Sequence, residues 1–179
     1  MLPLGTVAPN FLLMDTVSGN YVSLDQLKSE RATVIMFICN HCPFVIHVNP
    51  ELVRIANEYK SKGVSFIAIS SNDVDKHPED GPDQMRLVAK VLQFPFPYLY
   101  DKRQEVAKAY DAACTPDFYV FDGEDKLCYR GRLDDSRPGN NIPLSGSDLR
   151  GAIDKILEGQ SVDNQSPSLG CNIKWKVAD

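Results

Sequence analysis

The chain has 179 residues, 43% of them hydrophobic, and a net charge of −5 spread along its length. That is enough chain for one globular domain with a full core, and no stretch approaches the ~20 consecutive apolar residues that span a bilayer. The acidic balance argues against nucleic acid or an anionic membrane as a partner. Five irregularly spaced cysteines, an odd count, do not make a secreted disulfide framework. The start, Met1-Leu2-Pro3-Leu4-Gly5, has neither a basic n-region nor an apolar h-region. The expected location is therefore cytoplasmic, with any disulfide there transient and catalytic.

Residues 1–30 read as a lid or edge hairpin. Phe11-Leu12-Leu13-Met14 is a short apolar run, Ser18-Gly19-Asn20 a turn, and Tyr21-Val22-Ser23-Leu24 pairs back. Ser23 is placed to cap a short helix through Leu27. The run Thr33-Val34-Ile35-Met36-Phe37-Ile38 has four β-branched residues and no polar break after Thr33, as a buried strand requires. It ends on Cys39-Asn40-His41-Cys42-Pro43. Beyond it Leu52, Ile55, Ala56 and Tyr59 fall at helical spacing, and Gly63 stands in the stop position. Pro50 lies inside that helix and is expected to kink or split it. A strand thus delivers two cysteines to the first turn of a helix, where partial positive charge and unpaired N–H groups favour a thiolate. Strand, Cys-x-x-Cys, helix is the arrangement of a redox-active dithiol.

Val64-Ser65-Phe66-Ile67-Ala68-Ile69 is a second buried strand, and the polar stretch from Ser70 to Pro82 reads as an exposed loop. Met85, Val88, Ala89 and Leu92 mark a helical stripe. Phe94-Pro95-Phe96-Pro97-Tyr98 is held extended by its prolines and leads to Leu99-Tyr100. A short helix is expected at about 103–112. Cys114-Thr115-Pro116 then turns into the strand Phe118-Tyr119-Val120-Phe121, Asp122-Gly123 starts a hairpin, and 127–133 returns antiparallel. Leu149, Ile153, Ile156 and Leu157 define a last helix at about 147–158. The tail, residues 160–179, ends in Gly170-Cys171-Asn172-Ile173-Lys174-Trp175-Lys176, whose Gly170 and Trp175 point to packing on the body. The order predicts an α/β protein with a mixed central sheet flanked by helices.

These residues resemble the thioredoxin-like superfamily over positions 3–176. The Cys39-x-x-Cys42 at a strand-to-helix junction and the Thr115-Pro116 before a hairpin and terminal helix carry the resemblance. Ala8-Pro9-Asn10-Phe11 and the long loop after residue 70 resemble its redoxin branch, which holds peroxiredoxin-like proteins and membrane- or periplasm-associated thiol-disulfide oxidoreductases. The Cys-Asn-His-Cys-Pro-Phe motif and the tail resemble a peroxiredoxin-like group within that branch. The resemblance implies a thioredoxin-like fold with an N-terminal hairpin extension, in one domain over 1–179, and thiol–disulfide exchange with protein or small thiols. A reducing or oxidising partner protein is implied, and no bound organic cofactor. It also implies a cis Pro116 facing the dithiol, with Thr115 offering its backbone to a substrate strand and Asn40 and Pro43 completing that groove.

Under this reading Cys39 attacks, Cys42 resolves, and His41 tunes the potential by stabilising the thiolate. Two alternatives stay open. A peroxidase needs Pro-x-x-x-Thr/Ser-x-x-Cys; with Cys42 as the reactive residue those sites hold Ile35 and Cys39, and with Cys39 they hold Ala32 and Met36, so neither register fits. Cu(I) or Zn binding would draw on Cys39, His41, Cys42 and His47, although His47 five residues further on need not face the others. Cys114, two residues before Pro116, and Cys171 in the tail are candidate additional thiols, each with a passive reading beside it. Cys128 reads as core packing, His77 as solvated, and Asp134, Asp135 and Arg137 as a solvated charge cluster. Arg130 and Arg132 alternate on a strand face, supporting a thiolate across the sheet or simply facing solvent.

Overall fold

A computed structural model describes residues 1–177. Its centre is β3 (Ala32–Phe37), buried at every position. Val34 and Met36 enter one hydrophobic core, Ile35 and Phe37 the other, which is why the run carries no polar alternation. On one side β3 pairs in parallel with β4 (Val64–Ser70), and β4 with β5 (Tyr98–Tyr100). On the other it pairs antiparallel with β7 (Asp117–Asp122), which forms a hairpin with β8 (Leu127–Gly131). The hairpin of β1 (Leu12–Asp15) and β2 (Tyr21–Ser23) adds to β5, giving the order β2-β1-β5-β4-β3-β7-β8. Ser23 caps α1 (Leu24–Leu27) in a reciprocal box with Gln26.

Two helices close the first core over the sheet. From α2 (Pro43–Lys60) come Val45, Val48, Leu52, Ile55 and Ala56, and from α5 (Ser147–Leu157) come Leu149, Ala152 and Ile153. Met85 and Ala89 of α3 (Pro82–Val91) join them. The second core lies under α4 (Glu105–Ala109) and the N-terminal segment, with Phe11, Val106, Tyr110 and Tyr119. Among the described residues no helix is long and apolar enough to cross a membrane.

Three sequence expectations are corrected. Pro50 neither splits nor ends α2, which runs unbroken from Pro43 to Lys60. Pro50 and Ile46 both sit on the exposed face, so the carbonyl that loses its partner meets water while the opposite face stays packed. The stretch after β4 is exposed only in part: Ser71, Asn72, Asp73 and Asp80 are buried while Asp75, Lys76, Pro78 and Glu79 face solvent, and Pro78–Asp80 forms a single 3-10 turn. Asp134 is not solvated either; its buried carboxylate accepts the backbone N–H groups of Ser136, Ser145 and Gly146.

The tail after α5 returns across the molecule. Ser166 accepts the Arg132 N–H at 2.9 Å. A two-residue strand, β9 (Cys171–Asn172), pairs antiparallel with β6 (Cys114–Thr115), with Thr115 opposite Cys171. Ile173 is buried in the second core. Residues 178–179 lie outside those described.

Candidate functional site

Cys39 follows the end of β3, and Cys42 is the residue that starts α2, its carbonyl accepting the N–H groups of Val45 and Ile46 at 3.0 Å each. Pro43 occupies the first helical position, where a missing N–H costs nothing. Both thiols are buried, Cys39 at 2% and Cys42 at 0% exposure. Thr115 faces them across the fold. Its hydroxyl lies 3.6 Å from Cys39 Sγ, and its carbonyl accepts the Cys42 thiol at 3.5 Å. The Thr115–Pro116 bond is cis, as the resemblance implied.

The two sulfurs act as one acid. A hydrogen bond from the Cys39 thiol is the main reason that Cys42 is lowered to about 4 against the cost of burial. The same contact, then burial and the Asp80 carboxylate, drives Cys39 upward. Two contacts favour the opposite placement of the charge. Thr115's carbonyl can accept only from a protonated Cys42, and its hydroxyl can donate to a Cys39 thiolate. The pair therefore loses its first proton well below the ordinary thiol value and its second well above it, with the place of the charge set by these opposing contacts.

Asp80 organises the turn between the cysteines. One carboxylate oxygen accepts the backbone N–H groups of Asn40 (2.8 Å) and His41 (3.2 Å). The other lies 2.5 Å from His41 Nδ1 and accepts Asn72 Nδ2 at 3.0 Å. The Asn40 side chain is fixed as well: it accepts from Tyr98 Oη at 2.9 Å and donates to the Glu79 carbonyl at 2.9 Å. The His41 ring stacks on His77, with centroids 5.1 Å apart, so His77 is part of the site's cover and not a solvated loop residue. Sequence reasoning missed Asp80, Asn72 and Tyr98. The acidic Glu79-Asp80 pair in a Pro-rich segment was the one available signal, and it reads equally well as solvent-facing.

Cys39, His41 and Asp80 present ligand atoms within 4.8 Å of one another, as do His41, His77 and Glu79. The set drawn from sequence does not assemble: His47 points elsewhere, its Nε2 2.8 Å from Ser136 Oγ. Of the four residues assigned to a substrate groove, Pro116 lines a shallow groove with Phe44, Val48, Leu133 and Leu169. Pro43 is exposed at the helix start, Asn40 is tied inward, and the Thr115 backbone is already paired with Cys171. The larger cleft between Asn10–Met14 and Tyr100–Ala109 contains no cysteine.

All five cysteines are free thiols. Cys171 packs against the cluster that holds the dithiol and is raised to about 11, first by burial and then by its neighbour Cys42. Cys114 is raised to about 12 by burial and by Asp117; it shares a pocket with Asp117 and Arg130 and makes no hydrogen bond to the dithiol. Cys128 is half-buried on β8, its thiol directed to the Lys126 carbonyl and the Asp122 carboxylate. Arg130 does not reach the dithiol; it lines the Cys114 pocket, and two of its guanidinium nitrogens are buried without a partner.

Fold and site together define a thioredoxin-like protein with a buried Cys-x-x-Cys at its central strand-to-helix junction. The chain belongs to the AhpC/TSA family, whose sequence profile matches residues 4–130. It is similar to the thiol-disulfide oxidoreductase ResA of Bacillus anthracis, 25% identical over 126 residues, covering 70% of this chain and 68% of that one. The crystal structure of an uncharacterized conserved protein from Geobacillus kaustophilus superposes with a TM-score of 0.98 at 60% identity, covering 100% of this chain and 95% of the other. The thioredoxin domain of a thiol-disulfide oxidoreductase from Bacteroides vulgatus matches with a TM-score of 0.66 at 21% identity, over 88% of this chain and 99% of that domain, a likeness of fold.

Proposed function

We propose that the protein is a thiol–disulfide oxidoreductase that exchanges disulfides with protein or small thiols through Cys39 and Cys42. The observation that carries this is the buried Cys39–Cys42 pair at the start of α2, with the Thr115 hydroxyl 3.6 Å from Cys39 Sγ and able to stabilise a charge there. Cys42 is boxed in by Cys39, the Thr115 carbonyl and Cys171, so its natural partners are sulfurs of its own chain. Cys39 is the sulfur left to meet a substrate.

In the first step a proton passes from Cys39 to Cys42 along their contact. The Cys39 thiolate then attacks a substrate disulfide, forming a mixed disulfide and releasing one substrate thiolate. In the second step Cys42 attacks the Cys39 sulfur. Its proton goes to the departing substrate thiolate, and the Cys39–Cys42 disulfide remains. A reducing partner with two thiols reverses both steps. His41 acts through Asp80: bound to that carboxylate, the imidazole shields Cys39 from its charge. The relatives named as thiol-disulfide oxidoreductases support the reaction class, and the cytosol is the proposed location because an odd, irregularly spaced set of five cysteines is unlike a secreted disulfide framework.

The test is trapping. Cys42→Ser is expected to accumulate a mixed disulfide on Cys39 when supplied with a disulfide substrate, read by intact-mass spectrometry. Cys39→Ser is expected to lose turnover by about 10³-fold or more. Retained turnover in Cys39→Ser, or a mixed disulfide found on another cysteine, overturns the assigned roles.

A further inference from the structure

We propose that Cys171 is a third redox thiol of this site, attacking Cys42 within the Cys39–Cys42 disulfide to form a Cys42–Cys171 bond and free Cys39. This rests on the dithiol reading above and extends it. The placement comes first from strand register: β9 puts Cys171 opposite Thr115, whose carbonyl is 3.5 Å from Cys42 Sγ. Cys171 also packs against the core cluster that contains Cys39 and Cys42, and Cys42 and Cys171 perturb one another's ionisation.

The tail is held there by packing and by hydrogen bonds on both sides of Cys171. Ile173 is buried at 3% exposure, and its N–H donates to the Ala113 carbonyl at 3.1 Å. Ser168 Oγ donates to Asp117 at 2.6 Å. The Lys174 carbonyl accepts from Asp73 N (2.8 Å) and Gln104 Nε2 (2.9 Å). Asn72 joins the two halves of the site, donating to Asp80 through Nδ2 and accepting the Lys174 N–H at 2.9 Å through Oδ1. At Gly170 even a methyl group would lie 1.9 Å from the Thr115 carbonyl oxygen, so this position must lack a side chain for β9 to reach its register.

The step balances without a further oxidant. Cys171 loses its proton and bonds to the Cys42 sulfur, the Cys39–Cys42 bond breaks, and the Cys39 sulfur leaves as the thiolate and takes up the proton. One disulfide is exchanged for another at the same oxidation level. Charge gates it. While Cys42 carries negative charge it adds to burial in holding the proton on Cys171; once Cys42 is in a disulfide that added hold is gone, and Lys174 offsets part of what burial still costs the thiolate. Cys171 is also half-buried where Cys39 and Cys42 are closed off. A reducing thiol attacking the Cys171 sulfur would release Cys42 as the thiolate, and a second thiol would then release Cys171. Reductant and substrate thus meet different ends of a three-sulfur relay.

The experiment is peptide mapping of disulfides after equilibration of the full chain with glutathione buffers of graded poise and rapid alkylation. In the wild type both Cys39–Cys42 and Cys42–Cys171 are expected, in a ratio that does not change with poise because the two are isomers. Cys39→Ser should form Cys42–Cys171 alone. Gly170→Ala should lower the share of Cys42–Cys171 about tenfold, the effect of roughly 1.4 kcal/mol, while keeping Cys39–Cys42. Finding Cys39–Cys42 alone in the wild type, with Cys42 of Cys39→Ser only glutathionylated, overturns the relay and leaves the dithiol reading standing. Finding no bond to Cys39 at any poise overturns the dithiol reading and the relay with it.

Discussion

Two segments cover the dithiol, and they offer it different chemistry. The stretch between β4 and α3 brings a buried carboxylate, Asp80, that gathers the N–H groups of Asn40 and His41 and the His41 imidazole. The tail brings backbone and sulfur: β9 pairs with Thr115 and sets Cys171 against Cys42. The first cover fixes where the turn lies and makes negative charge on Cys39 costly. The second makes negative charge on Cys42 easier. One side of the site therefore opposes the thiolate and the other favours it, and the place of the charge is balanced between them. Asn72 touches both covers, so displacing either one disturbs the other.

Removing the acidic cover should have the largest effect. Asp80→Asn leaves several donors facing an amide that can accept from only some of them. It is expected to cost about 3 kcal/mol in urea unfolding and, by taking negative charge away from Cys39, to make the disulfide more oxidising. An unchanged midpoint of unfolding would mean that the turn holds itself. Next is His41→Ala, which exposes Cys39 to an unshielded Asp80. The potential should move to more reducing values by ~30 mV in glutathione titration, opposite in sign to Asp80→Asn. If both variants shift the potential the same way, the two side chains act on the fold and not on the charge.

The balance also predicts a pH dependence. With the first thiol lowered to about 4, the reduced protein should keep its ultraviolet thiolate absorbance from pH 7 down to pH 5 and lose it near pH 4. Cys42→Ser should lose that absorbance across the whole range, and persistence of the signal would place the charge on another thiol. The smallest effect is expected at the tail's anchor. Burial raises Asp117 to about 6, so its favourable neutral form is fully present below the unfolded value of 3.8 and is lost as pH rises through 6. Because Asp117 is only half-buried by area, Asp117→Asn should stabilise the protein at pH 8 by no more than about 1 kcal/mol, with no gain at pH 4. A gain equal at both values would assign the effect to packing.

Much of the fold was legible because single elements declare themselves. The unbroken apolar run at 33–38 needs apolar surroundings on both faces, which requires a central strand. The Ser23–Gln26 box, the Asp122-Gly123 turn and the stripe on α5 are local chemistry that any neighbours would respect. Pro50 was read too strongly, since a missing helix hydrogen bond matters less where its carbonyl faces water. The loop at 70–82 was read as solvated because polar composition cannot separate a carboxylate that meets water from one that meets four N–H donors. Both choices satisfy its lone pairs.

The amino-acid sequence by itself determined that a strand ends in two cysteines at the start of a helix, and that a Thr-Pro stands before the last hairpin. Those are near neighbours along the chain, held by backbone geometry and periodicity. Only the tertiary structure decided that Asp80, 38 residues after Cys42, clamps the turn, and that Cys171, 129 residues after it, packs against the dithiol's side of the core opposite Thr115. The physical reason is that burial of charge and approach of thiols depend on which surfaces the sheet and tail bring together. Nothing in local propensity distinguishes a tail that lies on Thr115 from one that hangs in solvent.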